Sequence, residues 1–162
     1  MSIETGPGSY ALCLLIEQAR QIRVGKAGVF YFWPGIYFYA GSAQGPGGVS
    51  ARLNHHLRLA ISPHWHLDWL RPYARIIQGY FVLAEERLGC RWSKALAHLP
   101  SSRIPVAGFG ASDCQNGCPA HLISLANGIR LEQVRFVLQN LSVEEVRQLS
   151  YAKLAALDND RK

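Results

Sequence analysis

The sequence predicts an α+β fold: a small, mainly antiparallel sheet flanked by helices, followed by a C-terminal helical appendage. Three observations lead there. Apolar runs of strand length, broken by Gly and Pro, fill residues 8–43. Two stretches, residues 49–60 and 86–99, carry apolar positions at helical spacing. The segment Ser142-Val143-Glu144-Glu145 has the S-x-x-E form that opens a helix.

Residues 10–17 (YALCLLIE) form a compact apolar run, and residues 21–24 lead into the turn Gly25-Lys26-Ala27-Gly28. Residues 29–33 read as a third strand, stopped by Pro34, and residues 35–39 as a fourth. A meander of this kind makes an antiparallel sheet. Gly41, Gly45, Pro46, Gly47 and Gly48 then open a loop before the helix at 49–60, for which Ser50 is a fair cap and Ser62-Pro63 the stop. Trp65 and Trp69 fill space between helix and sheet, while His66 and Asp68, two apart, do not share a helix face. Residues 75–84 are a strand, and the helix at 86–99 turns Trp92, Ala95, Leu96 and Leu99 inward. After a glycine-punctuated loop at 105–113, residues 122–126 form a last strand. Residues 133–141 are short and apolar, and the helix opened at Ser142 runs through Ala156 to a charged end at 158–162. The domain therefore spans 8–127 and the appendage 128–162.

Composition narrows the function. A chain of 162 residues that is 49% hydrophobic has enough apolar material for its own core. Seventeen Lys and Arg, mostly Arg, against eleven Asp and Glu give +6. Arginine's planar fork matches phosphate, so the bias favours a nucleic-acid partner. Four irregularly spaced cysteines do not make a disulfide scaffold, and no apolar run has the length of a membrane span. A cytoplasmic protein with reduced thiols and no membrane partner is expected.

Arg52 and His56 are four apart and project from one helix face, just after Tyr39 at the end of a strand. A phenol, a guanidinium and an imidazole can thus converge beside a glycine-opened loop where phosphate approaches backbone. Pattern alone also allows a glycine-rich hairpin followed by an ordinary basic helix.

Cys114, Cys118 and His121 lie within eight residues, and Asp113 or a distant histidine would complete a zinc set. The spacing C-x3-C-x2-H is not a usual finger pattern, however, and buried thiols behave as small hydrophobes. On this reading the three residues pack in preference to binding zinc.

Tyr39-Ala40-Gly41-Ser42-Ala43, then Gly47-Gly48, then Arg52-Leu53-Asn54-His55-His56-Leu57-Arg58 resembles the second half of the GIY-YIG nuclease motif, with Gly8-Ser9-Tyr10 as its first half. Gly35-Ile36-Tyr37 lies too close to Tyr39 to fill that place. Trp65 to Leu70, Gly108 to Cys114 and Cys118 to Leu122 are similar to an uncharacterised branch of that superfamily, some members of which are fused to endonuclease-III-type glycosylases.

The resemblance implies a metal-dependent endonuclease of DNA repair or processing. In it Tyr10 and Tyr39 would bracket the attacking water, one of them as its base. Arg52 would stabilise phenolate and clamp phosphate, and His56 would orient or relay protons. Ser42, Arg58 and His66 would face the nucleic acid. The cation would be Mg2+ or Mn2+, held by a glutamate that directly precedes a cysteine. Here Gly89 precedes Cys90, and Glu86, one turn earlier, is the candidate substitute. With the anchor lost, the alternative is a nucleic-acid-binding domain that does not cut.

Overall fold

Residues 8–16 are apolar at nearly every position, so their strand needs cover on both faces. In the computed structural model, which describes residues 3–159, they form β1 (Gly8–Ile16), the middle of a five-stranded antiparallel sheet. β1 pairs with β4 (Gly35–Ala43) on one side and β5 (Arg75–Leu83) on the other. β6 (Leu122–Leu125) and the two-residue β7 (Arg147–Gln148) close the edges, giving the order β6-β4-β1-β5-β7.

The period of two along β1 sorts its side chains into two cores. Tyr10, Leu12, Leu14 and Ile16 face one; Ala11 and Cys13 face the other. The first is covered by α1 (Gly48–Leu57) and α2 (His66–Leu70), which supply Leu53, Leu57, Leu67 and Leu70. The second is covered by α3 (Gly89–Ala97) and α4 (Leu131–Asn140), which supply Trp92, Leu96, Val134 and Leu138.

The expected four-strand meander divides in the structure. β2 (Arg20–Val24) and β3 (Gly28–Phe32) form their own two-stranded ribbon between β1 and β4. Their burial alternates, with Ile22, Val24 and Phe32 inward, so one face suffices and the ribbon lies over the first core.

Helix limits differ for identifiable reasons. α1 begins at Gly48, with Gly47 at φ 80° as its cap, and the Ser50 hydroxyl instead meets the Asn54 amide. It ends at Leu57, three residues before the pattern does, because the Arg71 guanidinium takes the carbonyls of His56 and Leu57.

The tail departs furthest from expectation. Ser142 does not cap a helix: its hydroxyl donates back to the Leu138 carbonyl at the end of α4. Val146 and Leu149 are buried, which pulls the intervening residues into β7 against β5. The helix of the tail, α5 (Tyr151–Asn159), begins later, and the Ser150 hydroxyl accepts the Lys153 N–H as its cap. Residues 128–149 are thus built into the sheet, with Val134, Leu138 and Val146 in its second core and Leu149 in its first. Of the charged end expected at 158–162, residues 160–162 lie outside the described residues. Among the described residues no helix is long and apolar enough to cross a membrane.

Candidate active site

The register of β1 and β4 sets Tyr10 opposite Gly41 and Leu12 opposite Tyr39, so both tyrosines emerge on one sheet face as diagonal neighbours. Their ring centroids are 6.3 Å apart. Gly41 makes room, since a Cβ there would stand 2.6 Å from the Tyr10 hydroxyl oxygen. Above them lies a polar cleft of about 730 Å3, bounded by α1, the start of α3 and the loop before β6. A second hollow of about 540 Å3, between Pro100 and Phe136, is apolar with Glu132 as its one titratable group, so the clustered polar and titratable side chains are those of the tyrosine cleft.

Helix α1 brings in the cation and the imidazole. The four-residue spacing that joins them on one face also splits their depth. Arg52 lies over the Trp65 ring, 4.4 Å from its centroid, at the cleft wall. His56 is fully buried, with its Nε2 3.0 Å from the Tyr10 Oη. Burial pushes the Tyr10 phenol up to about 12 despite Arg52 nearby, and it pushes Tyr39 well above 10, with Tyr10 adding to the effect. The same burial lowers His56 to about 3, against the pull of Asp68. At neutral pH the cleft floor is therefore an uncharged phenol bonded to an uncharged imidazole.

Asp68 fixes the floor from behind. Its carboxylate accepts the His64 N–H at 2.8 Å, the Trp65 N–H at 3.0 Å and His55 Nε2 at 2.9 Å. It lies 3.9 Å from His56 Nδ1, a nitrogen with no hydrogen-bond partner. Burial works to raise its pKa, but the bonds from His64, His55 and Trp65 outweigh burial and hold the carboxyl below its usual range.

These shifts predict acid sensitivity. Below pH 6.5 the unfolded chain protonates residue 56, whereas the folded chain resists until about 3. Stability contributed by neutral His56 is thus complete above that window and declines as pH falls through it. Asp68, depressed on folding, adds a second decline below 3.8. Urea midpoints at about pH 7, 5 and 3.5 measure this, and His56→Gln should flatten the fall between the first two. An unchanged slope in that variant would refute the assignment.

Of the residues singled out from the sequence, Tyr10, Tyr39, Arg52 and Ser42 line the cleft, and His56 lies directly beneath it. The Ser42 hydroxyl is committed to structure: it accepts the Gly89 N–H at 2.9 Å and meets the Ser9 hydroxyl, which in turn accepts the Leu88 N–H. These two serines dock the start of α3 on the sheet. His66 Nδ1 accepts the Gly110 N–H at 2.8 Å and so anchors the loop wall, while Arg58 is exposed beyond the end of α1; neither lines the cleft.

Glu86 is not brought to the cleft. α3 begins at Gly89, so Glu86 precedes the helix and turns outward into an ion pair with Arg91. Gly89 itself has no room for a side chain: a Cβ would stand 2.7 Å from the Gly41 carbonyl carbon and 3.0 Å from the Ser42 nitrogen. Among the described residues Asp113 is the one carboxylate in the cleft walls.

Sequence reasoning missed three contributors. Arg87 adds a second cation to the walls and Trp65 gives Arg52 its platform. Cys90, from the first turn of α3, joins Cys114, Cys118 and His121 in one cluster. No local spacing points to Cys90, because it meets the others only through the docking of α3.

Compared with known proteins, residues 9–142 match the family model described as Domain of unknown function DUF123. No curated protein and no solved structure matches the chain.

Proposed function

We propose that this chain, which belongs to the family described as Domain of unknown function DUF123, binds nucleic-acid phosphodiesters in the tyrosine cleft and hydrolyses them, as the GIY-YIG nucleases it resembles do. DNA undergoing repair or processing is the proposed substrate. The observation that carries this reading is the 3.0 Å contact between Tyr10 Oη and His56 Nε2, made beside Arg52 by residues 46 positions apart.

In this mechanism His56 takes the tautomer whose Nδ1–H points at the Asp68 carboxylate, which leaves Nε2 to accept the Tyr10 proton. Water gives a proton to Tyr10 as Tyr10 gives its own to His56, and the hydroxide attacks phosphorus while the opposite P–O bond breaks. The departing alkoxide takes a proton from solvent in the open cleft, and His56 returns its proton through Tyr10 to solvent. Because burial raises the phenol and lowers the imidazole, transfer completed before attack is disfavoured. The proton therefore moves together with the attack. Arg52 and Arg87 hold the phosphate oxygens as charge builds. Asp68 is a positioning residue acting through His56.

Mg2+ or Mn2+ would supply charge at the departing oxygen, and such hard ions need carboxylate ligands. The expected place does not fit them, since Gly89 is closed to any side chain and Glu86 faces Arg91. Every step above accordingly runs on the chain's own groups. That same observation favours a second reading, in which the cleft captures nucleic acid without cutting it.

Labelled branched DNA, incubated with and without Mn2+, separates the two. If the first holds, Tyr10→Phe lowers the cleavage rate about 100-fold with Kd unchanged. The rate should stay level between about pH 6 and 9, because the reactive pair is the neutral phenol and the neutral imidazole and neither changes charge in that range. Binding without cleavage by the parent chain, abolished by Arg52→Ala, establishes the second reading. Neither binding nor cleavage would sink both.

A further inference from the structure

The side-chain cluster beside the cleft carries an inference independent of what the cleft binds. Cys90 comes from the first turn of α3, Cys114 and Cys118 from the loop, and His121 from the residue before β6. Their four ligand atoms all lie within 4.8 Å of one another. Cys90 Sγ is 3.5 Å from Cys114 Sγ and 3.6 Å from His121 Nε2. A tetrahedral zinc with its usual bond lengths holds two sulfurs about 3.8 Å apart and a sulfur and nitrogen about 3.6 Å apart. We propose that Cys90, Cys114, Cys118 and His121 bind one zinc ion that staples α3 and β6 to the loop forming the cleft wall.

The surroundings suit thiolate ligands. Asn116 Nδ2 donates to Cys90 Sγ at 3.4 Å, and the backbone N–H groups of Asn116 and Cys118 point at the Cys114 sulfur. Gly117, at φ 68°, supplies the left-handed turn that folds Cys118 back toward Cys114. Three thiolates and an imidazole form a soft set that selects zinc over Mg2+ or Ca2+. Binding releases three thiol protons and leaves the site with one negative charge. Because four protein ligands close the coordination shell, the ion is structural and activates no water.

The site also accounts for the order of the connection between α3 and β6. Residues 98–121 contain no helix and no strand, yet Val106, Phe109 and Ala120 are buried and Gly110 packs on Tyr39. Loops beyond roughly 15 residues without regular structure are uncommon in small domains unless something fixes them. A cross-link from its far end to α3 does so here.

The test is elemental analysis of the full chain, produced without a metal-affinity tag and purified without chelator. One zinc per chain is expected, and replacement by Co2+ should give the intense sulfur-to-metal absorption of a three-thiolate site. Cys118→Ser should lose stoichiometric zinc. Asn116→Ala, which keeps all four ligands, should keep the fold and weaken zinc affinity by about 10- to 100-fold. Zinc well below one per chain, with Co2+ giving no thiolate absorption, would overturn the proposal. So would a Cys90–Cys114 disulfide in the freshly purified chain. None of these readouts depends on cleavage, so the zinc site and the nuclease reading can fail separately.

Discussion

Gly89→Glu, the substitution that would restore the carboxylate expected before Cys90, should destabilise the domain by about 3 kcal/mol or more and create no metal site. The cause lies in backbone packing. The start of α3 rests on β4 so closely that a Cβ at residue 89 would approach Gly41 Cα to 2.9 Å and the Gly41 carbonyl carbon to 2.7 Å. Neither atom can yield as a flexible side chain would. Relief requires α3 to lift from the sheet, which would break the bonds from Leu88 N and Gly89 N to the hydroxyls of Ser9 and Ser42. Gly89→Ala should already show most of the loss, because the collision is with Cβ and not with the carboxylate. Urea denaturation of the three proteins measures it. A Gly89→Glu chain as stable as the parent, and stabilised further by Mn2+, would show that α3 has room to hold the ion.

The second large effect is expected at Arg71. Its buried guanidinium donates to the His56 carbonyl at 2.7 Å, the Ala74 carbonyl at 2.7 Å and the Leu57 carbonyl at 3.2 Å. The first and last of these lie at the end of α1, where helix carbonyls lack partners within the helix. Arg71 therefore holds the end of α1, and with it the His56 ring, at the depth where Nε2 reaches Tyr10. Arg71→Met leaves buried carbonyls unbonded and should cost about 3 to 5 kcal/mol, since each such group is worth about 1 to 3 kcal/mol. For a chain of this size that lowers Tm by about 10 °C. Arg71→Lys should recover little, because one ammonium cannot reproduce the fork. A melting shift of only a degree or two in Arg71→Met would show that α1 keeps its place by apolar packing through Leu53 and Leu57 alone.

Much of the architecture could be read before the structure was known, where residues repeat with a clear period. β1, β4 and β5 carry mainly apolar runs because both of their faces are covered, and the sequence places their limits to within four residues. α1 was legible from apolar positions at helical spacing, and the shared face of Arg52 and His56 follows from that spacing alone. The tail misled because Ser142 and Ser150 each stand ahead of helix-forming residues. Burial of Val146 and Leu149, which depends on the open edge of β5, decided between the two. α2 is too short at five residues for a period to show, yet it carries the Asp68 that binds His55 and faces His56 at 3.9 Å.

By itself the sequence determined where β1, β4, β5 and α1 lie and which way their side chains project, because a regular backbone sets direction over a few residues. It therefore determined that Tyr39, Arg52 and His56 belong near a glycine-opened loop. Only the tertiary structure decided that His56 sinks beneath Tyr10 while Arg52 stays at the wall, that Cys90 completes a four-ligand cluster, and that residue 89 admits no side chain. Each of these is a meeting between distant segments. Sheet order, register and helix depth govern such meetings, and packing of the whole chain sets them together.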